Sequence, residues 1–239
     1  MSYELIKLRA PEELAEEVSQ QWLNELRSIS ASENLYCVAL SGGRIARQFF
    51  AAFARLPDAK VITTQPIHFF WGDERCVPPN NPESNFGLAR DLFLTPLGVP
   101  DDRVHRIRGE EKTDFAAAEA EAELCRIASL DDEGQPQLDL IFLGMGEDGH
   151  VASLFPGEPE EVSTSRAVYR SVVASKPPPQ RITIGYPALA AARQVWVLAS
   201  GPGKEAALRA SLKPGATTPL ARMIGLRKNT RVFSDIPLG

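Results

Sequence analysis

The chain has 239 residues, 44% of them hydrophobic and 24% charged, with a formal net charge of −5. That is enough chain to bury a substantial core, and the balance is that of an ordinary globular domain. The acidic excess argues against a general nucleic-acid or anionic-membrane binder, while leaving room for a local basic pocket that holds a small phosphorylated ligand.

In chain order, Tyr3 to Leu8 can form a first strand. Pro11 suits a first helical turn, Glu12 and Glu13 complement the helix N-terminus, and Leu14, Val18, Trp22 and Leu26 then repeat at helical spacing. Leu35 to Leu40 reads as a buried strand that ends in Ser41-Gly42-Gly43, and Ile45, Phe49, Phe53 and Leu56 follow as a helix. A strand, a glycine turn and a helix start form a ready anion site, because free N–H groups and the helix dipole both favour negative charge. Arg44 can add a charged donor there. Val61 to Thr64 is ambiguous; Ile67 to Trp71 is a clearer strand that opens onto Gly72-Asp73-Glu74-Arg75. Arg75 can bind an anion or steady an oxyanion, with Asp73 or Glu74 holding it in place, against the plainer reading of an exposed charged loop. A Pro/Asn-rich loop, Val77 to Asn85, comes next. Phe86 to Leu94 reads as helical, with Pro96 and Pro100 breaking the pattern, and Val104 to Ile107 as a short strand. Thr113 is expected to cap a helix through Ala128, with Phe115, Ala118, Ala122 and Cys125 inward and Glu119, Glu121 and Glu123 solvated.

The densest chemistry lies in Asp139 to Gly157. Leu140 to Leu143 is a short apolar run of the buried parallel-strand kind. It breaks into a glycine-rich turn carrying Asp148 and His150, where small residues let backbone N–H groups approach a ligand. Beyond it, Glu158 to Ser165 reads as a surface loop and Tyr169 to Val173 as a strand. Lys176-Pro177-Pro178-Pro179-Gln180-Arg181 is a stiff segment flanked by cations, either a linker or a rigid loop that aims Lys176 or Arg181. Gln194 to Ala199 is another buried strand, ending in Gly201-Pro202-Gly203-Lys204 before a helix with Ala207, Leu208 and Leu212. Pro219 to Met223 reads as a short helix and Thr230 to Phe233 as a closing edge strand.

Strands alternating with helices predict an α/β fold, a doubly wound and mostly parallel sheet with helices on both faces, built as one domain over 1–239. Its polar glycine turns follow separate strands and can converge on one cleft. Several cations and one histidine in such a cleft suggest acid–base chemistry on a small phosphorylated substrate. Metal-ligand spacing, a Walker lysine and a full GxGxxG opening a first strand–helix unit are all missing from the sequence, so neither a nucleotide nor a metal is indicated. Cys37, Cys76 and Cys125 are odd in number, far apart and without CxxC spacing, which fits a reduced, cytoplasmic protein. Cys37 and Cys125 read as small core residues, and Cys76 lies near the charged motif. No apolar leader and no stretch of membrane-spanning length is seen, and the sequence marks no interface, so the oligomeric state stays open with a monomer compatible.

Three stretches carry a resemblance: Trp71-Gly72-Asp73-Glu74-Arg75-Cys76-Val77-Pro78 with Ser84-Asn85, then Gly144 to Gly157, then Lys176-Pro177-Pro178-Pro179 with Arg181-Ile182-Thr183. In order and along nearly the whole chain, they resemble the 6-phosphogluconolactonase family, which sits with the glucosamine-6-phosphate deaminases in one sugar-phosphate superfamily. The resemblance implies a cofactor-free, sugar-phosphate isomerase-like α/β fold and water attack on C1 of 6-phospho-D-glucono-1,5-lactone. It implies His150 as general base, Asp148 as its orienting partner and Arg75 near the lactone. It further implies Ser41, Gly42, Gly43, Arg181 and Lys204 around the phosphate, with Arg44, Asp73 and Asn85 as further substrate-binding candidates. One departure stands out: the family's first loop usually continues Ser-Gly-Gly-x-Thr-Pro, and here Arg44-Ile45-Ala46 follows Gly43. Two alternatives remain, an amino-sugar-phosphate deaminase or isomerase and a non-catalytic sugar-phosphate sensor. The deaminases carry an Asn-Glu-Pro continuation where this chain has Ser153-Leu154-Phe155-Pro156, and a sensor has no need of a general base.

Overall fold

The computed structural model describes residues 3–29 and 35–238. Its strands are β1 (Glu4–Lys7), β2 (Tyr36–Leu40), β3 (Ile67–Trp71), β4 (Asp73–Arg75), β5 (Leu140–Gly144), β6 (Tyr169–Val173), β7 (Gln180–Ile184), β8 (Gln194–Ala199) and β9 (Thr230–Ser234). Its α-helices are α1 (Pro11–Ser28), α2 (Arg44–Ala54), α3 (Val61–Thr64), α4 (Asn85–Ala89), α5 (Thr95–Leu97), α6 (Thr113–Ile127), α7 (Glu160–Ser163), α8 (Tyr186–Ala191), α9 (Glu205–Ser211) and α10 (Pro219–Gly225).

Six strands form one sheet in the order β1-β9-β8-β5-β2-β3, and every pairing in it is parallel. All five residues of β2 are buried, so both faces of the sheet are covered at its centre, as a parallel sheet requires. From β2 the chain winds outward to β3; from β5 it winds the other way to β8 and β9. The reversal falls between β2 and β5, and the crevice beyond the carboxyl ends of such a strand pair is where open α/β sheets bind ligands. Under the sheet, Trp22 of α1 lies 4.8 Å from Phe53 of α2 and 5.1 Å from Phe142 of β5, ring centre to ring centre. That aromatic core fixes α2 against the strands and so aims its N-terminus.

A second sheet, antiparallel, has the order β4-β7-β6. The triproline segment is therefore the turn of the β6–β7 hairpin, and the charged residues after Trp71 are a strand in their own right. No helix among the described residues is long and apolar enough to cross a membrane.

Several expected elements differ. Thr230–Ser234 is no edge strand: it lies between β1 and β8, and β1 takes the edge instead. In the 104–107 segment only Val104 pairs, as a single bridge to Phe69, because the chain turns away after His105 donates to the Phe69 carbonyl. Pro96 does not stop the helical path, which runs on as a π-helical turn over Arg90–Leu94 and then α5; Pro96 stands in the first turn of α5, where its missing N–H costs little, and Gly98 at φ 75° ends the run. In α6 the buried residues are Ala116, Ala117 and Leu124, whereas Phe115 is exposed and Thr113 makes no side-chain cap. So many alanines left the inward stripe ambiguous. The acidic residues of α6 are not simply solvated either: Glu121 accepts the Val168 and Tyr169 N–H groups, and Glu123 faces His105 at 2.8 Å. The 158–165 segment contains α7, and its Glu158 pairs with Arg170 at 2.6 Å in a nearly buried ion pair.

Candidate active site

The parallel sheet builds one side of the site from turns. Behind β2, Gly43 caps α2 and Arg44 is the first helical residue. Behind β5 comes the turn to His150, and the Gly144 N–H donates to Ser41 Oγ at 3.4 Å, which ties the two turns together. Both turns need glycine for space. A Cβ on Gly42 would run into the Asn85 carboxamide, and one on Gly146 would run into the His150 imidazole. The His150 ring thus lies over bare backbone.

His150 Nδ1 is 2.6 Å from Asp148 Oδ1, and the His150 backbone N–H donates to the same oxygen at 3.1 Å. Burial pushes the Asp148 carboxyl upward, but the His150 backbone N–H, charge and imidazole outweigh it and leave the group below the ordinary aspartate value. An ionised Asp148 accepts a hydrogen bond from Nδ1–H, so the neutral imidazole keeps its lone pair on Nε2. The turn is fastened by Gly146 N–H to the His150 carbonyl at 2.9 Å and by Leu220 N–H to the Gly149 carbonyl at 3.1 Å.

The antiparallel sheet builds the other side from side chains. Its register sets Arg75 directly opposite Arg181 and Asp73 opposite Thr183. Like charges facing across strands destabilise a sheet unless an anion lies between them. Burial and the Arg75 charge both lower the pKa of Arg181. Arg181 donates from Nε to the Pro178 carbonyl at 3.1 Å and from Nη2 to the Lys176 carbonyl at 3.4 Å. Neither Asp73 nor Glu74 holds the Arg75 side chain, contrary to expectation; Glu83 does, through its carbonyl at 2.8 Å and its carboxylate at 3.4 Å. Glu74 is buried and collects other donors, the N–H groups of Arg75, Asn85 and Phe86 and the Ser84 hydroxyl. Asp73 accepts from Ser153 Oγ at 2.7 Å and from Asn85 Nδ2 at 3.2 Å. Both are therefore committed to holding this wall together.

Between the two sides lies a cavity of about 130 Å³. Ser41, Gly42, Gly43, Arg44, Asp73, Arg75, Asn85, His150, Arg181 and Lys204 line it, which brings together every expected site residue except Asp148, and that one touches His150 from outside the lining. Burial, then the charge of Arg44, lowers the pKa of Lys204, while Glu147 and Asp235 pull it upward. The lining thus pairs Arg44 with Lys204 and Arg75 with Arg181, which suits an anionic ligand. A larger groove of about 670 Å³ lies between the 101–108 segment and α6. There Arg106 already faces Glu110 at 2.6 Å and Arg126 faces Glu123 at 2.7 Å, so its charges are answered.

Lys176 is not in the lining; it points outward and meets Glu147 at 3.5 Å. The Cys76 thiol is pushed up to about 11 by burial and then the charge of Glu74, and Cys37 to about 12 by burial and then Asp139, so neither is a ready nucleophile. The sequence reading missed Glu83, Ser153 and Phe155, whose ring centre lies 4.9 Å from that of the His150 imidazole. The latter two lie inside the motif around His150, where only their spacing from the histidine could have marked them; nothing in the loop marked Glu83.

Residues 9–233 match the family described as glucosamine-6-phosphate isomerases/6-phosphogluconolactonase. The chain is 35% identical to the 6-phosphogluconolactonase of Streptomyces coelicolor over 236 residues, 96% of this chain and 90% of that one. It is 37% identical to the 6-phosphogluconolactonase of Mycobacterium tuberculosis over 184 residues, 74% of each chain. Among solved structures, the 6-phosphogluconolactonase of Trypanosoma brucei superposes with a TM-score of 0.85 at 26% identity, covering 98% of this chain and 96% of that one.

Proposed function

The chain belongs to the glucosamine-6-phosphate isomerase/6-phosphogluconolactonase family, it is an enzyme of that family's lactone-hydrolysing kind, and from that premise we propose how its residues act. The substrate is 6-phospho-D-glucono-1,5-lactone and the product 6-phospho-D-gluconate, within the oxidative pentose phosphate pathway and in the cytoplasm. His150 Nε2 takes a proton from water as the hydroxide adds to the C1 carbonyl. Arg75 stabilises the resulting oxyanion. The bond from C1 to the ring oxygen then breaks, and the imidazolium returns its proton to that oxygen, leaving a C1 carboxylic acid that ionises in water. Asp148 holds the tautomer that makes Nε2 the base. The phosphate is bound by the amides at the start of α2 and by Arg44, Lys204 and Arg181.

The observation that carries this reading is the 2.6 Å His150–Asp148 contact at the edge of a cavity lined by four cations. In the Arg44 departure, a guanidinium in the lining supports a replacement for the hydroxyl of the usual loop. The test is hydrolysis of freshly generated lactone, with the spontaneous rate subtracted and glucosamine 6-phosphate run in parallel. Enzyme-dependent opening of the lactone alone is expected; deamination of the amino sugar without lactone hydrolysis would overturn the reading.

A further inference from the structure

We infer that Phe155 is a positioning residue that serves the general base and a phosphate-binding arginine at once. The inference rests on the roles of His150 and Arg181 proposed above. Phe155 belongs to the Ser153-Leu154-Phe155-Pro156-Gly157 run that closes the central motif, and it is half-buried. Its ring centre lies 4.9 Å from that of the His150 imidazole, with the planes at 53°. The Arg181 guanidinium carbon lies 5.7 Å from the same ring centre, within cation–π range.

Each neighbour needs this ring for a reason of its own. Asp148 grips the His150 ring at Nδ1 alone, its other bond being to the backbone N–H, and one hydrogen bond at the ring's edge leaves the imidazole free to tilt about it. Gly146 beneath it has no side chain to oppose the tilt. Phe155 limits that rotation and so sets where Nε2 points. Arg181 faces Arg75 directly across the strand pair, which repels it, and it is fastened to the hairpin carbonyls by one ordinary bond of 3.1 Å and one long bond of 3.4 Å. The negative face of the Phe155 ring attracts the guanidinium and offsets that repulsion. None of the hydrogen bonds among the described residues uses Arg181 Nη1, so the ring and the carbonyls together leave that nitrogen for a ligand.

The test compares Phe155→Ala, Phe155→Leu and Phe155→Tyr by steady-state kinetics on the lactone, with thermal unfolding to verify folding. Phe155→Ala is expected to raise KM and lower kcat, each by about threefold to tenfold, the range one cation–π contact supports. Phe155→Tyr should stay within about twofold of the wild type, because the π face is kept. Phe155→Leu keeps most of the volume without the π face and should behave as the alanine variant does. Full recovery by leucine, or a loss confined to one of the two constants, would overturn the shared role. The chain has three histidines, so the His150 imidazole signals can be assigned by NMR with His150→Ala. Loss of the Phe155 ring should move them through its ring current, and binding of inorganic phosphate by calorimetry should weaken about threefold to tenfold. Unmoved signals with unchanged phosphate affinity would also sink the idea. These two measurements stand even if the wild type fails to hydrolyse the lactone, which would count against the proposed reaction and leave the placement of Phe155 to be judged separately.

Discussion

The two walls of the cavity are built by opposite means. The wall from the parallel sheet consists of turns after β2 and β5, and there glycines bring backbone close to where a ligand would lie. The wall from the antiparallel sheet is made of long side chains, with Arg75 and Arg181 set opposite each other by register. The first arrangement is held by its own hydrogen bonds, with Ser41 joining the two turns and the Gly146–His150 pair closing the second. The second sets two like charges face to face, which Glu83 on Arg75 and the Phe155 ring on Arg181 offset in part and which an anion between them would offset further. The cations are shared between the walls, Arg44 and Lys204 on the turns and Arg75 and Arg181 on the smaller sheet, while His150 lies on the turn side alone.

The comparison is broken most severely at His150. Replacing it by alanine should lower kcat by roughly a hundred- to ten-thousand-fold, the usual worth of a positioned general base, with KM little changed. Near-wild-type turnover in a folded His150→Ala protein would remove the base from the parallel-sheet wall. Next in size is Glu74, which clamps β4 to the start of α4. Burial pushes its carboxyl from the ordinary 4.5 up to about 7, against the pull of the Phe86, Asn85 and Arg75 N–H groups. A carboxyl raised in the folded state binds more protons there than in the unfolded chain. Its contribution is therefore fully present below about pH 4.5 and is lost as pH rises through about 7. At most about 3 kcal/mol is involved. Denaturant unfolding at several pH values should show this slope in the wild type and a flatter profile in Glu74→Gln; equal slopes would exclude Glu74 as its source.

How much of this was legible beforehand follows the same division. The turns after β2, β5 and β8 announced themselves, because a buried parallel strand is a short apolar run and glycine marks its end. His150, Asp148, Ser41 to Arg44 and Lys204 were singled out as residues of such turns, and the family resemblance gave them their expected roles. The antiparallel wall could only be half seen. Arg75 and Arg181 stood out as charges beside strands, but their pairing depends on a hairpin register that no local pattern encodes. For the same reason Arg75 was given the wrong partner, since Glu83 reaches it only once the proline-rich loop has folded back. The resemblance to a known family supplied the lactone, which neither spacing nor charge contains. The β9 error has a related cause: a strand's place in a sheet is set by pairing across the whole chain, and Thr230–Ser234 carries no mark of having β1 beyond it.

Arg181 sharpens the comparison by a smaller amount. Its replacement by alanine removes a charged donor from the cavity and should raise KM about tenfold to a hundredfold while kcat falls less, as expected for a group that binds substrate and transition state alike. Steady-state kinetics settle this, and an unchanged KM would take Arg181 out of the phosphate site.

The smallest effect is expected at Lys176, which the sequence offers as a candidate beside Arg181 but marks less strongly. It sits at the turn of the same hairpin and meets Glu147 across the mouth at 3.5 Å, but their side chains are 71% and 56% exposed. An ion pair that open to water is worth about 0–1 kcal/mol and weakens further with salt. The hairpin is tied to the site from inside instead, where Arg181 donates to the Pro178 and Lys176 carbonyls, bonds that do not depend on the Lys176 side chain. Lys176→Ala should therefore change kcat/KM by less than about fivefold, and raising the salt concentration should erase the difference. A tenfold or larger loss that persists at high salt would mean that Lys176 touches the substrate, and the antiparallel wall would then extend through the hairpin turn to the mouth of the cavity.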